Sequence, residues 1–182
     1  MMGYMTNSSP LPLLTLLACS LLLGGKAEAA SAVGTVTAQV IQPLTITGRT
    51  ALDFGTILPG SGGGEVVITT SSQRQVSGAV KMQDGASAAA TFNIQGTPDR
   101  SYTIETPDTL VFHVTDAYGS VGTTGDLTVR NFTASSQNSG KSDRGVLDST
   151  GRDKVSVGAT LVVPANVTPG RYSGAVPITV SY

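Results

Sequence analysis

One histidine, one cysteine and a scatter of aspartates are what this chain offers to chemistry. A serine-triad hydrolase would have to use His113. In Leu110-Val111-Phe112-His113-Val114, strand alternation turns it away from Leu110 and Phe112, and no Gly-x-Ser-x-Gly elbow accompanies it. His113 therefore reads as an exposed strand residue and not as a general base. A structural zinc held by Cys and His needs four ligands, more than the chain contains. Calcium asks for roughly six to eight oxygens drawn from a tight loop with acidic residues at alternate positions. Asp143, Asp148 and Asp153 recur too widely for that, and Asp99, Asp108, Asp116 and Asp126 lie in or beside turns, where aspartate has an ordinary backbone-capping role. The cluster Gly60 to Gly64 is not followed by Lys-Ser or Lys-Thr, so it is no phosphate loop. The sequons at Asn131 and Asn166 matter only in a glycosylating secretory pathway. The expectation is a non-enzymatic protein with no cofactor and no metal site.

Charge narrows the partners. Charged residues make up 13% of the chain and the formal net charge is −1, so no basic field exists to hold nucleic acid or an anionic membrane. With 22 glycines, no tryptophan and 5% aromatic residues, the composition is that of a lean, turn-rich β protein and argues against a glycan-stacking surface. Whatever it does must be done with surfaces and edges.

The first thirty residues say where this happens. Leu11 to Leu23 is an apolar run, followed by the small-residue pattern Ala27-Glu28-Ala29. This reads as a secretory signal peptide, residues 1–29, cleaved after Ala29, although its only n-region positive charge is the terminal amine. The run is shorter than the roughly 20 residues a membrane span needs. Leu16-Leu17-Ala18-Cys19 offers a lipoprotein cleavage box as an alternative, but cutting there would leave the apolar start Ser20-Leu21-Leu22-Leu23. The expected location is periplasm, cell surface or medium. Ala30 to Tyr182 has the size of one domain and contains no cysteine, so a hydrophobic core must hold it without disulfides.

Within that domain the hydrophobic period is two. Val36, Ala38 and Val40 alternate with Thr35, Thr37 and Gln39. Val76, Val80 and Met82 share a face, as do Phe92 with Ile94, Leu110 with Phe112 and Val114, and Val155 through Val163 at every second position. Turn pairs such as Pro59-Gly60, Asp84-Gly85, Pro98-Asp99, Tyr118-Gly119, Thr150-Gly151 and Pro169-Gly170 punctuate them. Many short strands divided by Gly and Pro mean a sandwich or a barrel. A membrane barrel is set aside for want of aromatic girdles. Two looser stretches are expected: a flexible loop at Gly60 to Gly64 and a polar segment from Thr133 to Gly145.

The sequence ends in a strand pattern. Gly174, Val176, Ile178, Val180 and Tyr182 face one way, and Ala175, Pro177, Thr179 and Ser181 the other. Pro177 lacks a backbone donor, which places part of this strand at a sheet edge or bulge. That proline either protects the edge from aggregation or marks a place where a partner docks.

Pro43-Leu44-Thr45-Ile46, Leu52-Asp53-Phe54-Gly55-Thr56-Ile57, Gly145-Val146-Leu147-Asp148-Ser149-Thr150-Gly151, Val157 through Ala165, and Pro169-Gly170-Arg171-Tyr172-Ser173-Gly174 together resemble one family. It is a domain-of-unknown-function family of small secreted bacterial proteins grouped with adhesins, spore-coat-U-like proteins and chaperone–usher pilins. The resemblance implies an all-β, immunoglobulin-like antiparallel β-sandwich of about 7–9 short strands across residues 30–182. In such pilins the sandwich is incomplete, and the next subunit's N-terminal extension supplies the absent strand. Tyr182 matches the tyrosine near the end of their last strand, and Gly170 or Gly174 the glycine upstream. Ala30 to Gln42 has the alternation and the Gly34 of a donor strand. The pilin disulfide is absent here, and Val36 to Val40 runs so directly into Pro43-Leu44 that it could equally be this chain's own first strand. The expected function is an exported structural or surface subunit joining copies of itself, or a periplasmic chaperone, through edge strands. The alternative is a self-contained monomeric module binding a glycan or surface protein. The candidate pairing faces are Val36, Ala38 and Val40, and Val176, Ile178, Val180 and Tyr182.

Overall fold

The computed structural model describes residues 31–83, 85–112, 114–115, 126–165 and 167–182. The leader with Cys19, together with Ala30, Asp84, His113, Asp116, the Tyr118-Gly119 turn and Asn166, lies outside the described residues. Residues 31–38 belong to a unit, Met1–Ala38, separate from the body, and are themselves without strand and exposed throughout.

The body, 39–182, is all-β, with no helix among the described residues. In chain order its strands are β1 (Thr45–Thr50), β2 (Ile57–Leu58), β3 (Gly64–Ile68), β4 (Arg74–Gly78), β5 (Lys81–Met82), β6 (Ala90–Gln95) and β7 (Ser101–Glu105). There follow β8 (Thr109–Phe112), β9 (Val114–Thr115), β10 (Leu127–Ser136), β11 (Arg144–Val146), β12 (Arg152–Val163), β13 (Arg171–Tyr172) and β14 (Thr179–Ser181). The described pairs are antiparallel.

β12 is the spine. Its regular alternation puts Asp153, Val155, Val157, Ala159, Leu161 and Val163 on one buried face, and burying each valine or leucine is worth about 1.5–3 kcal/mol. β10 pairs along one side of it. On the other side β6 pairs with Arg152–Val157 and β3 with Ala159–Val163, so the partner changes at Gly158. There a Cβ would press into the Ile68 carbonyl oxygen and the backbone at Thr69. Gly158→Ala should therefore cost about 1–3 kcal/mol by overpacking, visible as a lowered thermal midpoint; an unchanged midpoint would mean the two half-strands separate freely there.

The large sheet runs β1-β6-β12-β10-β8, with β3 and β4 joined through β12, and a smaller one runs β11-β7-β14. Ile94, Val155 and Val157 of the large sheet meet Tyr102 and Ile104 of the small one in a common core, against which Ile178 and Val180 pack. A second cluster gathers Val66, Val80, Leu127, Val129 and Leu161.

Four expectations need correction. Val76 and Val80 do not share a face: β4 ends at Gly78 in a left-handed conformation, leaving Val76 36% exposed while Val80 is buried. Gly60 to Gly64 is no loose loop, because Gly63 is buried, has positive φ and leaves no room for a Cβ, which would press into the Val163 carbonyl oxygen. The polar segment after Ser136 is also tied down. Asn138 Nδ2 donates to the carbonyls of Val146 and Arg152, both at 2.9 Å, and Ser139 Oγ donates to that of Arg144 at 2.6 Å. Lastly, residues 36–40 carry the strand pattern but form no strand; among the described residues the first strand is β1.

Candidate strand-pairing site

At the end of the sequence, the expected alternation holds from Val176 to Val180, while Gly174 and Tyr182 are exposed. Val176, Ile178 and Val180 are half-buried and the residues between them exposed, while Tyr182 is 42% exposed. Only Thr179–Ser181 is strand, and the Pro177 side of it is not. β14 pairs β7 in the register Thr179↔Glu105, Val180↔Ile104, Ser181↔Thr103, and among the described residues it has no second neighbour. Its outer row of backbone donors and acceptors is a sheet edge.

The large sheet ends in a matching way. Among the described residues β1 is an edge strand paired only with β6, and Ile46 stands opposite Ile94, which is fully buried. Directly opposed residues share a face, so Ile46 points inward; yet it is 36% exposed, and every β1 residue is exposed. The inner face of the large sheet is therefore uncovered at β1. Leu44 and Phe92 lie part-buried at the margin of the same core as Ile178 and Val180. An apolar margin and an unpaired edge adjoin one core.

Tyr182 fastens the start of the body to this edge. Its hydroxyl donates to the Gln42 carbonyl at 3.1 Å and accepts from the Thr97 N–H at 2.6 Å, while Gln42 N–H donates to Thr97 Oγ1 at 2.9 Å. Arg100 sits over the Tyr182 ring, 5.3 Å from its centre, at cation–π distance. Gln42 and the downstream end of β14 are thus held together. Upstream of that knot Val36 is 96% exposed, Val40 95% and Ala38 exposed. Of the two candidate faces, then, Ile178 and Val180 pack on the core and Val176 is half-buried, while Val36, Ala38 and Val40 are exposed.

Reading the sequence alone missed a buried polar centre behind the site. Asp153, 6% exposed, accepts from the Tyr102 hydroxyl at 2.7 Å, from Ser136 Oγ at 2.5 Å and from the N–H groups of Lys154 and Asn138. Burial, with the Asp153 carboxylate beside it, pushes the Tyr102 phenol well above its ordinary value, so it remains a donor. Asp148 caps its own turn: Oδ1 accepts from Thr150 Oγ1 and from the N–H groups of Thr150 and Arg152, bonds that hold its carboxyl below the usual carboxylate range. Two of the three evenly spaced aspartates are thus engaged in holding strands together. Among the described residues no cluster of acidic, His and Cys side chains is placed to hold a metal.

The molecule so defined is an all-β protein in which, among the described residues, the two principal sheets each end in a singly paired edge strand beside one core. Residues 44–182 match the Domain of unknown function (DUF4402), and the chain belongs to that family. No curated protein and no solved structure matches it.

Proposed function

We propose that this chain is an exported, non-enzymatic structural or surface subunit with an immunoglobulin-like sandwich short of one strand, and that it joins copies of itself by strand addition. The observation that carries the reading is the combination of valines at 95 and 96% exposure upstream of the body with an apolar, singly paired edge at β14. An alternating segment spread in water gains about 1.5–3 kcal/mol per valine wherever it becomes buried.

The Tyr182–Gln42 bond favours a partner over self-completion. It joins the downstream ends of both segments, so Val36 to Gln42 folded back along β14 in the same chain would run parallel to it. Every described pair in the protein is antiparallel, and parallel pairing is slightly weaker per residue. The segment of a second copy is free of that tether and enters antiparallel.

Residues 30–182 should give a ladder on a denaturing gel without boiling, and a version lacking 30–41 a single band that is still folded and that binds the segment added as a peptide. A monomer band from residues 30–182 would sink the proposal and leave a monomeric binding module.

A further inference from the structure

On the outer side of the large sheet, a trough of about 660 Å³ opens where β3, β12 and β10 run side by side, closed at one end by the turn at Lys141 to Asp143. Hydroxyl-bearing residues line it among apolar surface: Thr70, Thr133, Ser135, Ser142 and Thr160, with Thr69, whose hydroxyl is already bonded to Ser71 Oγ and the Gln73 N–H. Thr160, 6% exposed, stands on the face opposite the core residues Ala159 and Leu161, with Val67 and Arg130 as its cross-strand neighbours.

The rim has a built irregularity. β10 slips register against β12 between Arg130 and Thr133, and Asn131 in that bulge adopts φ 53, a left-handed conformation uncommon for a residue with a side chain. Bulges re-aim a side chain and are enriched beside binding sites. Asn131 lines the trough, as do Lys141 and Asp143.

We infer that this trough is a binding site for a neutral oligosaccharide, recognised by hydrogen bonds and not by aromatic stacking. The amide of Asn131, the carboxylate of Asp143 and the hydroxyls supply both donors and acceptors, the set that sugar hydroxyls require. The single lysine is balanced by an aspartate, which disfavours an anion. The methyl groups of Val67 and the threonines offer contact to sugar C–H faces. The volume falls within the range of roughly 300–1,000 Å³ usual for ligand sites. The trough uses β3, β10 and the second half of β12, whereas the strand-pairing site uses β14 and β1. A site there stays open whether or not copies join.

The test is amide NMR on residues 30–182 carrying Val36→Asp and Val40→Asp, which keeps the body folded and single, titrated separately with maltotriose, cellotriose and triacetylchitotriose. At least one sugar should give saturable shifts confined to Thr69, Thr133, Ser135, Lys141 and their neighbours, with a Kd on the order of a millimolar. Thr133→Val with Ser135→Ala should weaken it about tenfold, and Lys141→Ala, on an exposed turn, gives a second reading that does not disturb the sheet. Absence of trough shifts with all three sugars, shifts centred elsewhere, or equal binding by both variants overturns the inference. The readout does not depend on assembly, so failure of the strand-addition reading would not imitate failure here.

Discussion

Asp153→Ala should be among the most destabilising single substitutions in this protein, costing about 4 kcal/mol. The carboxylate is the common acceptor for the Tyr102 hydroxyl and Ser136 Oγ, both in residues no more than 1% exposed. Truncating it leaves two buried donors without their acceptor, at about 1–3 kcal/mol each. It also frees the backbone N–H of Asn138, and with it the turn that braces β10 against β11 and β12. Against a whole-domain stability of roughly 5–15 kcal/mol, that is a large fraction. The check is the urea midpoint, measured at constant slope, alongside Tyr102→Phe. The phenylalanine variant removes one donor and its hydroxyl together, so it should lose less than the alanine variant. Equal losses, or a loss below about 1 kcal/mol for Asp153→Ala, would show that water enters and substitutes for the carboxylate.

The same residue shows what could be read in the sequence and what could not. Asp153 stands two places before Val155 and four before Val157, so the period-two pattern already put it on the inward face. Its partners come from β7 and β10, 51 and 17 residues away, and nothing local announces them. Alternation was informative wherever a strand keeps neighbours on both sides, as β12 does, because burial then depends on parity alone. It misled at Gly78, where a left-handed glycine ends β4 and lets Val80 enter the core from a different strand-free turn. It was silent on glycine. Gly63 and Gly158 are needed because another backbone lies against them, a property of strand pairing that composition shows only as an excess of glycine. The apolar alternation at Val36 to Val40 has the chemistry of a strand, yet it pairs with none of the described residues. Sequence pattern specifies which face a strand would bury. It does not specify whose sheet the strand joins.

That distinction underlies the second large effect, expected for the pair Val36→Asp and Val40→Asp. Both side chains are at least 95% exposed, so the folded body should keep its melting midpoint, within about 0.5 kcal/mol. Assembly should fall about 100-fold or more. Two valines would no longer contribute their burial, and two carboxylates would have to be desolvated beside Ile178 and Val180. Val180→Asp behaves differently because Val180 already packs on the chain's own core, so it should lower stability as well as assembly. The contrast separates a donor from an acceptor. A head-to-tail contact that does not close into a ring grows from both ends, and a copy with a spoiled donor segment retains an intact β14 edge. Mixed at low ratio with the unaltered chain, the double-aspartate variant should therefore accept one donor and stop growth there, shortening the ladder in proportion to its fraction. If it joins chains as well as the unaltered protein does, the extension is not the donor. If it is simply left out while the ladder keeps its length, β14 is not the edge that receives one.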